Sequence, residues 1–327
     1  MEKPSLTTDV VIVGAGPVGL MLACCLLHNG ITCVILEKRP RPFRHTRAIG
    51  IHAASMRVFE KIGLADAMLE QGVRVSQGAA FSGGKCLGRL SFASCPPPYN
   101  FVLTVPQYES ERILESSLAS RDPACLQRGT VIESFAQREN DVCVAIRGTH
   151  GPMNIEGRYV VGCDGRESAV RKRAEIAFPG GPYADTFVMG DFADTTDFGN
   201  EARLFLDVHG LVESFPLPGK LRRWVVQTDE FKAIPDETEF IPWVRERSGV
   251  DLTGQQREVL TPFRVHHFLA SSFVAGRTLL AGDAAHVMSP IGGQGMNVGW
   301  LDAWDIAEAM KAILRTGGDA ATILGAY

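Results

Sequence analysis

One segment near the start of the chain restricts its possible folds more than any other. Residues Asp9–Glu37 read DVVIVGAGPVGLMLACCLLHNGITCVILE. An apolar run, Val10–Val13, enters the turn Gly14-Ala15-Gly16-Pro17-Val18-Gly19. A helical stretch follows, then a second apolar run, Thr32–Leu36, closed by the acidic Glu37. The order is strand, glycine turn, helix, strand, acid.

Each of these positions has a physical reason. Gly14 allows a tight turn off the strand, Gly16 lets backbone approach a ligand with no Cβ in the way, and Gly19 permits close packing of helix on sheet. The helix N-terminus presents free N–H groups and the positive end of its dipole, which suits a pyrophosphate. Glu37, eighteen residues after Gly19, can accept hydrogen bonds from a ribose. This is the dinucleotide-binding fingerprint in its required context. The motif does not separate FAD from NAD.

Of the 327 residues, 45% are hydrophobic and 21% charged, the balance of a globular protein with ample core. The length suits two domains, with a single large α/β domain as the alternative. A net charge of −4 without blocks of like charge argues against a nucleic-acid partner. Met1–Thr8 lacks the apolar core of a secretory signal, and no apolar run reaches membrane-spanning length. The eight cysteines include no CxxC pair, so free thiols in a reducing cytoplasm are expected rather than disulfides or zinc ligands. The densest basic run, Lys38 to Arg47, follows the second strand, where an anionic ligand fits as well as a solvated loop.

Further along, Ala53–Ile62 has the pattern of an amphipathic helix, and a short helix is expected near Ala65–Gln71. Val73 to about Thr104 turns glycine-, serine- and proline-rich, the texture of short strands and loops. Glu109–Ser120 reads as a helix. Val131–Ala136, Val142–Ile146 and Met153–Ile155 read as a strand meander, and Arg158–Cys163 as a further buried strand. From Phe178 to Phe263 apolar and polar residues alternate with turn signals. A mostly antiparallel sheet with one short helix near Ile241–Ser248 is expected there. Thr278–Leu280 reads as a core strand and Val298–Leu314 as a long amphipathic helix. A βαβ unit interrupted by two β-rich inserts fits a discontinuous layout better than two domains in tandem. The expected division is 1–75, 105–180 and 264–327 for the nucleotide-binding domain, with 76–104 and 181–263 forming the β-rich one.

Two later segments carry chemistry. Val161-Gly162-Cys163-Asp164-Gly165 ends a strand and leads through Ser168 to Arg171. Asp164 and Ser168 read as helix caps, or, with Arg171, as ligand contacts at the carboxyl end of a sheet strand. The second runs Thr278-Leu279-Leu280-Ala281-Gly282-Asp283-Ala284-Ala285-His286 and on through Pro290-Ile291-Gly292-Gly293-Gln294-Gly295-Met296-Asn297. It delivers Asp283 to a strand end, and its glycine-rich loop can aim several backbone N–H groups at one electron-rich atom.

Together these three segments resemble the class A flavoprotein aromatic hydroxylases, the FAD-dependent monooxygenases typified by para-hydroxybenzoate and phenol hydroxylases. The likeness covers nearly the whole chain. It implies an α/β fold: a Rossmann-like FAD-binding domain of the glutathione-reductase type, with an inserted, mostly antiparallel β-sheet substrate domain. It implies that Gly14, Gly16, Pro17, Val18, Gly19, Glu37 and Lys38 hold the ADP half of FAD, and that Arg47 reaches the pyrophosphate. Gln107, in VPQYESERIL, would contact FAD with Arg112 nearby, and Gly282-Asp283 would hold the ribityl chain. The backbone of Gly293, Gly295, Met296 and Asn297 would face the flavin edge, with Pro290 and Gly293 beside the oxygen-transfer position. Asp164 and Arg171 would serve both FAD and NAD(P)H.

The implied reaction uses tightly bound, non-covalent FAD, transiently bound NAD(P)H and O2 to hydroxylate an aromatic small molecule through a flavin C4a-hydroperoxide. No acid–base residue is assigned. His286 is read as a residue that hydrogen-bonds its loop, and the scattered His52, His209, His266 and His267 give no metal-ligand spacing. Met189, Phe215 and Pro216 are the expected substrate-lining residues. With Leu211, Val212 and Leu217 nearby they suggest a larger, less acidic aromatic or polycyclic substrate. Alternatives are another FAD oxidoreductase of this fold (an oxidase, a halogenase or a prenyl reductase) or a catalytically idle FAD-binding protein. In this family the last helix continues past a Leu-x-x-Tyr segment into Arg-Arg-Pro, whereas this sequence stops at Leu324-Gly325-Ala326-Tyr327. The family's terminal helix or added domain is therefore expected to be missing from this chain.

Overall fold

The computed structural model describes residues 5–42, 48–149 and 151–327. The first segment forms β1 (Ser5–Val13), α1 (Pro17–His28) and β2 (Cys33–Glu37). β1 lies at the centre of a parallel sheet, flanked by β2 on one side and by the strand Gly151–Gly162 on the other. Leu126–Arg128 extends the sheet beyond β2, and Thr278–Leu280 extends it beyond Gly151–Gly162, both in parallel.

Both faces of this sheet are covered, which is why its strands read as unbroken apolar runs. Val10 and Ile12 point toward α1 and toward the helix side, where Leu114, Trp300, Ile306 and Met310 complete the core. Val11 and Val13 point to the opposite face, where Val34 and Leu36 meet Val142, Val144 and Ile146. That second cover is the antiparallel meander Val131–Gln137, Val142–Gly148 and Gly151–Gly162.

Gly151–Gly162 corrects the expected split into Met153–Ile155 and Arg158–Cys163: it is one twelve-residue strand. Within it Gly157 lies at a close approach, because a Cβ there would sit 2.9 Å from the Val11 side chain.

A second eight-stranded sheet runs Lys85–Ser91, Gln77–Ser82, Ala202–Asp207, Gly210–Leu217, Leu221–Thr228, Gly180–Ala193, Arg257–Leu269 and His286–Val287. All its pairings are antiparallel except Ala202–Asp207 with Gln77–Ser82. The helix Glu237–Ser248 covers one face, burying Phe240 and Val244 against Val188, Phe192, Val212, Trp224 and Val226. It starts four residues before the expected Ile241 because the Asp236 carboxylate caps it, accepting from the Thr238 N–H at 3.1 Å. The opposite face carries Phe187, Met189, Val225 and Val265. A small third sheet, Gly50–Ile51, Val102–Thr104 and Val73–Val75, lies between the two.

Two links join the sheets around the glycine-rich segments. Phe268 and Leu269 pair with Val287 and His286, so the loop after Asp283 supplies an edge strand of the second sheet. The helix Gln294–Leu314 packs along α1, with the Trp300 indole N–H donating to the Pro17 carbonyl at 3.0 Å. All eight cysteines are free thiols, as expected. No helix among the described residues is long and apolar enough to cross a membrane.

Candidate functional site

The site begins at the turn between β1 and α1. Gly14 adopts φ +104°, and a Cβ on it would stand 2.5 Å from the Cys163 carbonyl oxygen. A Cβ on Gly19 would meet the Gly14 carbonyl at 2.0 Å. Both glycines are therefore demanded by the polypeptide itself. Gly16 differs: its φ of −81° suits any residue, and a Cβ there would meet nothing within 4 Å. The empty space over Gly16 is room for a ligand. No side chain caps α1, so its first N–H groups open onto that space.

Glu37 closes the same crevice. Its Oε2 accepts from the Ala15 N–H at 2.8 Å, and its Oε1 accepts from the Arg39 backbone and guanidinium at 2.9 and 3.0 Å. Burial works to raise its pKa, but these donors outweigh it and hold the carboxyl below the usual range. The ionised carboxylate keeps free lone pairs for a hydroxyl donor. Lys38, next along, is exposed. Arg47 lies outside the described residues.

The far end is built from the second glycine segment. Gly282 and Ala284 are buried while Asp283 between them is exposed, so a short 3-10 turn presents the carboxylate outward. Gly282 and Gly299 both lie against Val18, each with a hypothetical Cβ within 2.8 Å of that side chain. The first residues of α1 are thereby packed onto the far segment. Gly292 and Gly293 follow at φ +74° and +66°, a left-handed pair that turns the loop into the helix Gln294–Leu314. This helix starts four residues before the expected Val298, and again no side chain caps it. Two uncapped helix N-termini are thus brought together across one crevice. Pro290 is exposed at its edge, and Gly293, Gly295 and Met296 are half-buried along it.

Asn297, expected to contribute backbone only, is a buried side-chain clamp. Its Nδ2 donates to the Gly50 and Gly293 carbonyls at 2.9 and 2.7 Å; its Oδ1 accepts from the His52 N–H and the Ser55 hydroxyl, both at 2.8 Å. Every hydrogen-bonding position of the amide is used to hold the loop against the helix Ala53–Lys61. Asp302 is a second residue that the sequence reading missed. Its Oδ2 accepts from the Gly282 N–H at 2.8 Å and meets His286 Nε2 at 2.7 Å. Burial disfavours the charged imidazole, but Asp302, with Asp283 nearby, overcomes it and raises the His286 pKa. His286 is thus a loop-holding residue, paired with a carboxylate one turn deeper in the helix.

Asp164 caps the helix Ala169–Arg173: its Oδ2 accepts from the Ala169 and Val170 N–H groups at 2.6 and 3.2 Å, while Oδ1 is buried without a partner. Ser168 adds a second cap through Arg171 N at 2.9 Å. The Arg171 guanidinium donates to the Ala284 and Arg166 carbonyls and lies 3.6 Å over the Phe178 ring. It ties the two motifs together from beneath. A cleft of about 420 Å³ opens beside it, lined by Arg166, Phe178, His266 and Phe268. A larger cavity of about 690 Å³, along Tyr159, Phe273 and Tyr327, is lined by none of the crevice residues. Gln107 heads the helix Gln107–Arg121, its Nε2 donating to Glu111 at 2.8 Å and its Oε1 accepting from the Ala48 N–H at 3.4 Å.

A family model described as an FAD binding domain matches residues 7–327 of this sequence. The chain belongs to this family, that of the class A flavoprotein hydroxylases. Rifampicin monooxygenase of Streptomyces venezuelae is 33% identical over 311 residues, covering 93% of this chain and 64% of that protein. The solved anhydrotetracycline hydroxylase of Streptomyces rimosus aligns with a TM-score of 0.78 at 31% identity, over 98% of this chain and 65% of that one. The p-nitrophenol 4-monooxygenase of Pseudomonas putida aligns with a TM-score of 0.87 at 25% identity, over 99% of this chain and 83% of that one. The chain spans about three fifths of the length of the flavoprotein sequences it matches first. The crevice between the two uncapped helix termini is therefore that of an FAD-binding family member, and the space over Gly16 has the chemistry such a cofactor requires.

Proposed function

We propose that this chain forms the FAD-binding and substrate-facing part of an NAD(P)H- and O2-dependent aromatic hydroxylase. The observation that carries this reading is the pairing of the two uncapped helix N-termini, with open space over Gly16 at one and the Gly292–Gly293 turn at the other. A ligand with negative charge at both positions, a pyrophosphate and an electron-rich ring edge, fits that arrangement.

In this reading the ADP half lies on Gly14, Gly16, Pro17, Val18 and Gly19. Glu37, fixed by Ala15 and Arg39, takes a ribose hydroxyl, with Lys38 on the solvent side. Gln107 and the unpartnered oxygen of Asp164 face the middle of the cofactor. Asp283 takes ribityl hydroxyls, and the N–H groups of Gly293, Gly295, Met296 and Asn297 stabilise negative charge at the flavin edge. Asn297 and Asp302 act through this loop, holding it in the geometry the edge needs. Bound FAD supplies the redox chemistry, taking electrons from a nicotinamide and passing an oxygen atom from O2 to the ring. The cleft beside Arg166, Arg171 and His266 offers cationic and aromatic groups suited to a transient nicotinamide dinucleotide.

The substrate is assigned to the face of the second sheet opposite the covering helix, where Met189 and Phe215 lie; Pro216, expected beside them, alternates onto the helix side. Relatives named for rifampicin, anhydrotetracycline and p-nitrophenol support a phenolic or polycyclic aromatic substrate. The test is a screen of FAD-loaded protein against phenols and polycyclic aromatics. NAD(P)H oxidation should rise with a productive aromatic, and the product should gain the mass of one oxygen atom. Protein that binds FAD but oxidises NAD(P)H equally with and without every aromatic, and yields no oxygenated product, overturns the reading.

A further inference from the structure

Glu213 stands out on the second sheet. It sits in the strand Gly210–Leu217, in register with Val225 on one side and Leu204 on the other. Met189 and Thr261 continue that row across the next two strands. Strand alternation puts Val212 and Ser214 on the helix-covered face, so Glu213 shares the opposite face with Leu211 and Phe215. The surroundings are apolar, yet among the described residues no hydrogen bond or ion pair reaches its carboxylate. Burial with nothing to offset it raises the Glu213 pKa.

Among the described residues, the charges beside it on this face are paired. Asp191 and Arg223, one row along, form a bidentate pair at 2.7 and 2.7 Å. Arg222 and Arg203 lie on the helix face with Asp194 and Glu201. A half-buried carboxylate without a partner is unfavourable, and a folded chain gains nothing from it unless a ligand supplies the missing donor.

The strand's far end is bonded toward the cofactor loop. The Pro216 carbonyl, three residues on, accepts from the Thr104 hydroxyl at 2.7 Å. Thr104 pairs with Gly50, and the Gly50 carbonyl accepts from Asn297. One run of hydrogen bonds therefore leads from the Gly293–Asn297 loop to the strand that carries Glu213.

We propose that Glu213 is a catalytic residue of the substrate pocket, whose carboxylate accepts the hydrogen bond of a substrate phenol and takes its proton as the ring is hydroxylated. This rests on the aromatic-hydroxylase reading above. The phenol O–H bond breaks, an O–H bond forms on Glu213, and the electron pair stays on the phenolic oxygen, enriching the ring ortho and para to it. The proton then leaves to solvent. O2 and NAD(P)H supply the oxygen atom and the electrons. A carboxyl pKa raised toward that of a phenol makes the transfer less uphill than for an ordinary glutamate. The apolar row around it selects a neutral phenol over a carboxylated aromatic, which would meet like charge.

The experiment uses FAD-loaded protein with two probes, 4-nitrophenol, whose absorbance separates phenol from phenolate, and its methyl ether 4-nitroanisole, which has no proton to give. Wild type, Glu213→Gln and Glu213→Leu are titrated with both. We expect Glu213→Leu to weaken 4-nitrophenol binding on the order of 10- to 100-fold, as for a lost hydrogen bond to a charged group, with 4-nitroanisole binding unchanged. Glu213→Gln should bind 4-nitrophenol within about tenfold of wild type, yet hydroxylate a productive phenol on the order of 100-fold or more slowly. Its kcat should also lose the acidic limb of the wild-type pH profile. Equal 4-nitrophenol binding in all three proteins, or undiminished turnover in Glu213→Gln, overturns the role of Glu213 and leaves the hydroxylase reading standing. Wild-type protein that takes FAD but binds neither probe and hydroxylates no phenol overturns the aromatic reading itself.

Discussion

Replacing Gly16 with serine separates what the fold needs from what the cofactor needs. The backbone at Gly16 is already extended, at φ −81° and ψ −176°, and a Cβ there touches nothing. Serine is a good N-cap, so the cofactor-free protein should keep its stability or gain a few tenths of a kcal/mol. The added side chain, however, occupies the approach to the first N–H groups of α1. Losing two charge-assisted hydrogen bonds, at about 1.5–3 kcal/mol each, weakens FAD binding by roughly 100- to 10,000-fold. Wild type in FAD at about 100 times its Kd gains about 2.7 kcal/mol from binding. For a chain of 327 residues, with an unfolding entropy on the order of 0.7 kcal/mol/K, that gain is a rise of about 4 °C in Tm. Gly16→Ser should lose that rise while matching wild type without FAD. Gly14→Ala is the control: its Cβ would stand 2.5 Å from a backbone oxygen at a φ of +104°, so it should lower Tm with or without cofactor. Thermal melts with and without FAD, together with a fluorimetric FAD titration, read both effects. A Gly16→Ser protein that holds FAD at wild-type affinity would refute the placement of the pyrophosphate.

Three further outcomes follow from the clamps and thiols. Asn297→Leu leaves the partners of four hydrogen bonds of a buried amide unpaired and should cost about 3 kcal/mol in urea melts, with weaker FAD binding. His286 has its pKa raised in the folded chain, so its bond to Asp302 stabilises fully below the ordinary histidine value of 6.5 and fades as pH rises through the folded value. Wild type should therefore lose stability relative to Asp302→Asn as pH rises above about 6.5, and parallel curves would count against the pair. Burial pushes the Cys24 thiol up to about 12 while Cys86 is exposed, so iodoacetamide should label Cys86 first and leave Cys24 unmodified until the chain unfolds, as peptide mass mapping will show.

The parts of the molecule legible in the sequence are those whose residues answer to local geometry. Gly14-Ala15-Gly16-Pro17-Val18-Gly19 between two apolar runs identifies β1, α1 and β2 because each glycine has its own backbone reason. The unbroken strand Gly151–Gly162 was hard to read for the opposite reason: the missing side chain of Gly157 answers to Val11, far away in sequence, and a contact between strands leaves no local mark. Asn297 and Asp302 were harder still. Both lie in a helix with the expected pattern, and only the folded chain brings Gly50, Ser55 and His286 within reach of their side chains. Glu213 carried a faint signal, an acid within Leu211-Val212-Glu213-Ser214-Phe215, but alternation alone does not say which face of a strand is covered.

The alternation along Leu221–Thr228 also bears on how such a protein can change over generations. Arg222, Trp224 and Val226 face the covering helix, while Arg223 and Val225 face the other way. Mutation can therefore explore one set without disturbing the other. A lineage can reshape one face of the sheet by altering every second residue of a few strands, and the inherited scaffold on the other face passes through the exchange intact.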